Sequence, residues 1–123
     1  MRVLVVDDEP GIRRQLTFLL EDEGFDVTAV ESGSLALKAA EEASFDVVIL
    51  DVRLPDIPGT RVFSTLVDRG AQSHVIIISG HAVQDDVRDA RSAGAQFLSK
   101  PLDTQRLLEL MGNWRPQKEG EQG

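Results

Sequence analysis

The chain has 123 residues, 13 basic and 21 acidic side chains, a formal charge of −8 and no cysteine. That length suits a single domain with its own core, and the missing cysteines exclude disulfides and thiolate metal sites. The acidic balance argues against direct nucleic-acid binding, which needs a basic footprint.

The first element is "VLVV" (3–6), followed at once by Asp7, Asp8, Glu9 and Pro10. Ile12, Leu16, Leu19 and Leu20 then share one helical face, with Pro10 suited to the first turn and Gly24 to the stop. "VTAV" (27–30) is a weaker strand, expected near a sheet edge. Ser32 is a candidate N-cap for a second helix striped by Leu35, Ala36, Ala39, Ala40 and Ala43. "VVIL" (47–50) is apolar at every position, as expected of a central parallel strand covered on both faces, and Asp51 follows it. The loop "LPDIPG" holds Pro55, Pro58 and Gly59 as turn punctuation.

Val62, Phe63, Leu66 and Val67 mark a third helix, stopped near Gly70. "VIII" (75–78) is another central strand and ends in Ser79. A fourth helix is expected over Val83, Val87 and Ala90, ended by Gly94, with Asp85, Asp86, Arg88 and Asp89 on its solvated face. "QFL" (96–98) leads to Lys100 and Pro101. Leu107, Leu108, Leu110 and Met111 form a fifth helix behind the N-cap candidate Asp103, and Trp114 is expected to pack that helix end onto the body. The domain is placed at 1–113, with 114–123 as a polar tail or the start of a linker. No apolar stretch nears the roughly 20 residues of a membrane span, and no signal peptide precedes the first strand; a cytoplasmic protein without membrane contact is expected.

Strands alternating with helices predict an α/β fold, a flavodoxin-like doubly wound (βα)5 with a five-stranded parallel sheet in the order 2-1-3-4-5. In that order the winding reverses between strands one and three, opening a crevice at their carboxyl ends. Asp7, Asp8, Glu9 and Asp51 all fall beside it. Carboxylates this close repel one another unless compensated. Two remedies are available: a divalent cation such as Mg²⁺, which takes oxygen ligands, and the ammonium of Lys100 at the end of strand five. With the Ser79 hydroxyl at the same level, the set suits metal-assisted transfer of a phosphoryl group to an aspartate.

"DD" after strand one, "LDVRLPDIPG" after strand three, "SG" after strand four and "KP" after strand five resemble the receiver domain of bacterial two-component response regulators. The resemblance covers nearly the whole chain, with the marks in order. It implies that Asp51 accepts a phosphoryl group from a sensor histidine kinase or a phosphotransfer protein. It implies that Asp7, Asp8, Asp51 and the Arg53 backbone carbonyl hold Mg²⁺ (or Mn²⁺), Asp7 directly or through water. Lys100 and Ser79 are implied to contact the transferred group, and Ser79 and Phe97 to form a switch pair. The output is implied to be a C-terminal domain or a dimer on the helix four–strand five–helix five face. Beyond this phosphorylation of itself and slow self-dephosphorylation, no enzyme activity is implied. Arg53 and His81 are less typical of the family, and His81 sits where side chains modulate the acyl-phosphate lifetime.

The competing readings are weaker. Asp7, Asp8 and Glu9 alone read equally well as a solvated loop before a helix, and Phe97 as core. A flavin-binding electron carrier of the same fold needs a Ser/Thr/Gly-rich phosphate loop where "DDEP" stands. A phosphatase with an aspartate nucleophile wants a second acid at position 53, which is arginine. A receiver-like scaffold independent of phosphorylation would lack part of the Asp/Lys set.

Overall fold

The computed structural model describes residues 1–80 and 93–114. The fourth predicted helix, His81 and the 115–123 stretch lie outside them. Five strands, β1 (Arg2–Val6), β2 (Asp26–Val30), β3 (Val47–Asp51), β4 (His74–Ser79) and β5 (Gln96–Ser99), form one sheet. All pairs are parallel, in the order β2-β1-β3-β4-β5. The described helices are α1 (Pro10–Asp22), α2 (Gly33–Glu42), α3 (Gly59–Asp68) and α4 (Thr104–Gly112), the last being the fifth of the sequence reading.

Local chemistry sets the helix ends as anticipated. Pro10 opens α1, where its missing N–H costs nothing. The Ser32 hydroxyl accepts the Leu35 N–H at 3.2 Å, and the Asp103 carboxylate accepts the Arg106 N–H at 3.1 Å. Gly24 and Gly70, at φ +90° and +80°, turn the chain out of α1 and α3.

Alternate strand residues feed two cores. Leu4, Val6, Val48, Leu50, Val75 and Ile77 pack with Ala36 of α2 and with Val62, Phe63 and Leu66 of α3. Val3, Val5, Val47, Ile49, Ile76 and Ile78 pack with Leu16 and Leu20 of α1 and with Leu107, Leu110 and Met111 of α4. A sheet covered on both faces needs apolar residues at successive positions, which is why β1, β3 and β4 read as unbroken hydrophobic runs. β2, with a mostly exposed pattern, is an edge strand as expected. Trp114 stacks on His74, ring centroids 4.5 Å apart, at the end of the sheet opposite the crevice. Among the described residues no helix is long and apolar enough to cross a membrane.

One boundary differs in a way that matters. Asp51 is the last residue of β3, paired with Ile78, rather than the first residue of the following loop. The Val52 N–H still donates to the Ile78 carbonyl at 3.0 Å, so sheet pairing holds the backbone on both sides of the Asp51 carboxylate.

Candidate functional site

Winding α1 to one face and α2 to the other places the carboxyl ends of β1 and β3 side by side. Asp7 follows β1 directly, and its N–H donates to the carbonyl of Val30, the last residue of β2, at 3.2 Å. Asp7 and Asp51 are buried, at 1% and 4% exposure, whereas Asp8 and Glu9 are exposed. One ligand oxygen from each of Asp7, Asp8, Glu9 and Asp51 lies within 4.8 Å of all the others. Lys100 enters from the end of β5, where its own N–H donates to the Ser79 carbonyl at 2.9 Å. The Lys100–Pro101 peptide is cis.

The Lys100 ammonium lies 2.9 Å from Asp51 Oδ2, 3.3 Å from Glu9 Oε1 and 3.7 Å from Asp7 Oδ2. One cation therefore faces three carboxylates, with the fourth, Asp8, close by. Asp51 Oδ1 accepts the Arg53 N–H at 3.0 Å, and Asp7 Oδ1 accepts the Glu9 N–H at 2.9 Å. Asp7 Oδ2 is buried and, among the described residues, accepts no hydrogen bond. Burial pushes the Asp7 carboxyl above its usual range; the Glu9 N–H and Lys100 pull it down, while the charges of Asp51 and Glu9 push it further up. For Lys100, burial pulls downward, but the bond to Asp51 and the charges of Asp7 and Asp51 outweigh it and leave the ammonium held above its usual value.

Such a cluster fits a hard divalent cation. It offers only oxygen donors, carries more negative charge than Lys100 cancels, and leaves a buried carboxylate oxygen without a donor. Ser79, half-buried, ends β4 beside Ser99 of β5. Phe97, also half-buried, lies opposite Ile77 and packs against the α2/α3 core. The Arg53 side chain is exposed.

Two residues that the sequence reading passed over also belong here. Arg13, in the first turn of α1, donates from Nη1 to the Asp7 carbonyl at 2.7 Å. A cation there opposes the helix dipole, and that misplacement was its legible signal. Asp56 binds the amino end of α2; nothing local distinguishes it from a turn aspartate.

Known proteins match this architecture closely. The family model for the response regulator receiver domain matches residues 3–111. The chain is 34% identical over 110 residues to chemotaxis protein CheY of Bacillus subtilis, covering 88% of this chain and 92% of that protein. It is 31% identical over 119 residues to sensor protein GacS of Pseudomonas syringae, covering 92% of this chain but only 13% of GacS. The response regulator TrrA of Thermotoga maritima, solved with Mg²⁺ and beryllofluoride, superposes with a TM-score of 0.83 at 29% identity, over 93% of this chain and 98% of that one. By the family match and by these identities, the chain belongs to the response regulator receiver domains of two-component signal transduction.

Proposed function

We propose that Asp51 is the phosphoacceptor and that Asp7, Asp8, Asp51 and the Arg53 carbonyl hold Mg²⁺, or Mn²⁺ in its place. The observation that carries this reading is the buried Asp7–Asp51 pair facing the Lys100 ammonium. A carboxylate oxygen of Asp51 attacks the phosphorus of a phosphohistidine on a sensor histidine kinase or phosphotransfer protein. The P–O bond forms as the P–N bond breaks, and the electron pair and a proton go to the departing imidazole. The bound cation supplies charge neutralisation for the phosphoryl oxygens. Lys100, already 2.9 Å from Asp51, pairs with the transferred group. The Ser79 hydroxyl then moves toward a phosphoryl oxygen, and Phe97 follows it inward, which biases the face that meets an output domain or a second copy. The reaction makes the chain a cytoplasmic switch that modifies only itself.

Incubation with acetyl phosphate and Mg²⁺, followed by intact-mass measurement, tests the acceptor. A gain of one phosphoryl group is expected, absent without Mg²⁺ and absent in Asp51→Asn. A gain that survives Asp51→Asn would remove Asp51 from the role, and none in the unmodified chain would favour the phosphorylation-independent scaffold. The metal site has its own readout: millimolar Mg²⁺ should raise the melting temperature, and Asp8→Ala should abolish most of the rise. An unchanged Mg²⁺ response in Asp8→Ala would exclude Asp8 as a ligand.

A further inference from the structure

The loop 52–58 between β3 and α3 carries Arg53, and its two ends are fixed locally. The Arg53 N–H donates to Asp51 Oδ1 at 3.0 Å, and the Gly59 N–H donates to the Val52 carbonyl at 2.8 Å. Its middle is held by Asp56. The Asp56 carboxylate accepts the backbone N–H groups of Gly33, Ser34 and Ile57, each at 2.9 Å, and also the Ser34 hydroxyl. Gly33 and Ser34 open α2, so their N–H groups have no partner within the helix. The Ser32 hydroxyl accepts the Leu35 N–H, and the Ser32 carbonyl the Ala36 N–H, which leaves Gly33 and Ser34 to Asp56. Asp56 thus caps α2 from another loop, where the positive helix end favours its charge. These hydrogen bonds, led by the Ser34 hydroxyl, hold its carboxyl well below the usual range. An apolar contact accompanies the polar one: a Cβ on Gly33 would stand 2.3 Å from Ile57 Cγ1, so Ile57 seats against bare backbone.

The latch closes a circuit around the crevice. The Asp7 N–H is bonded to Val30 at the end of β2, and β2 runs through Glu31 and Ser32 into α2. The first turn of α2 is bonded to Asp56, and the Asp56 loop follows directly on Asp51, the last residue of β3. Both carboxylate-bearing strand ends are tied to the same helix end. We propose that Asp56 is a positioning residue for the phosphoryl-transfer site: by capping α2 it fixes the 52–58 loop, and with it the Arg53 carbonyl, relative to Asp7, Asp8 and Asp51. This rests on the Mg²⁺-dependent phosphorylation of Asp51 proposed above.

The test compares the full chain with Asp56→Ala and Asp56→Asn. Mg²⁺ alone is titrated by calorimetry, and the initial rate of mass gain from acetyl phosphate is followed across Mg²⁺ concentrations. Asp56→Ala should bind Mg²⁺ about tenfold more weakly, the scale on which outer-shell partners act on metal sites. Its rate deficit should close at saturating Mg²⁺. Asp56→Asn keeps an acceptor oxygen and should recover part of the loss. Unchanged Mg²⁺ affinity in a folded Asp56→Ala, with only a lower melting temperature, would overturn the proposal and leave Asp56 a helix cap alone. Should Asp56→Ala not fold, Asp56→Asn decides by the same criterion. Failure of the unmodified chain to bind Mg²⁺ or gain a phosphoryl group would overturn the parent reading, and the positioning role with it.

Discussion

Gly59→Ala is expected to lower the melting temperature by about 10 °C, the effect of about 2–3 kcal/mol of overpacking in a domain of this size. A Cβ at Gly59 would stand 2.1 Å from the Asp51 carbonyl oxygen, 2.9 Å from its carbon and 3.1 Å from Val52 Cα. These are backbone atoms held in the sheet, and they cannot rotate aside. Relief requires moving Asp51 itself and loosening the Gly59 N–H bond to the Val52 carbonyl. Phosphoryl transfer should therefore slow along with the loss of stability. Gly33→Ala is the control. Its new Cβ would meet side-chain atoms of Ile57 and Val62 rather than sheet backbone, so its cost should be smaller. Thermal unfolding followed by far-ultraviolet circular dichroism decides it. Equal melting temperatures for Gly59→Ala and the unmodified chain would show that the β3–α3 junction has room the structure does not give it.

The second large effect concerns charge balance in the crevice, measured in the presence of a chelator. Lys100→Met removes the cation facing Asp7, Glu9 and Asp51. Breaking a fully buried pair costs about 3–5 kcal/mol. The Lys100 side chain keeps 21% exposure, so about 2–3 kcal/mol is the better expectation. Asp7→Asn should act in the opposite direction. It retains an oxygen for the Glu9 N–H and removes a charge that burial disfavours. A gain of about 1 kcal/mol in the presence of a chelator is expected, together with a weaker stabilising response to Mg²⁺.

The pH dependence follows from the directions of the two shifts. The folded pKa of Asp7 lies above its ordinary value, so the fold gains relative stability when Asp7 is protonated and loses it as pH rises through that folded value. The advantage of Asp7→Asn should thus be greatest near neutrality and fade below the carboxylate range. The folded pKa of Lys100 is raised, so its contribution is complete below the ordinary lysine value of 10.5 and is lost only as pH climbs through the raised one. Denaturant midpoints measured across pH in chelator test both. A destabilised Asp7→Asn, or a Lys100→Met as stable as the unmodified chain, would mean that repulsion does not govern this crevice.

Much of this arrangement was legible before the fold was seen. The runs "VLVV", "VVIL" and "VIII" are apolar at consecutive positions because both faces of those strands are covered, and the helical stripes between them identify parallel crossovers. Strand order then placed Asp7, Asp8, Asp51 and Lys100 together, since polar residues at strand ends can be read in one dimension. Ser32 and Asp103 cap their helices within a few residues, and such local chemistry is equally readable.

What the amino-acid order determined by itself was the element pattern, the parallel sheet and the set of chemical groups brought to its carboxyl edge. Only the tertiary structure decided how those groups divide. Asp7 is buried, with an oxygen that accepts no hydrogen bond among the described residues, while Asp8, its neighbour in sequence, is exposed. Gly59, which read as turn punctuation, is required by a close approach to the Asp51 carbonyl. Asp56, which drew no reading of its own, caps a helix that begins 23 residues earlier. Contacts of this kind join segments far apart in the chain. Their partners are set by how α2 and α3 pack on one face of the sheet, and residue order alone carries no record of that distance.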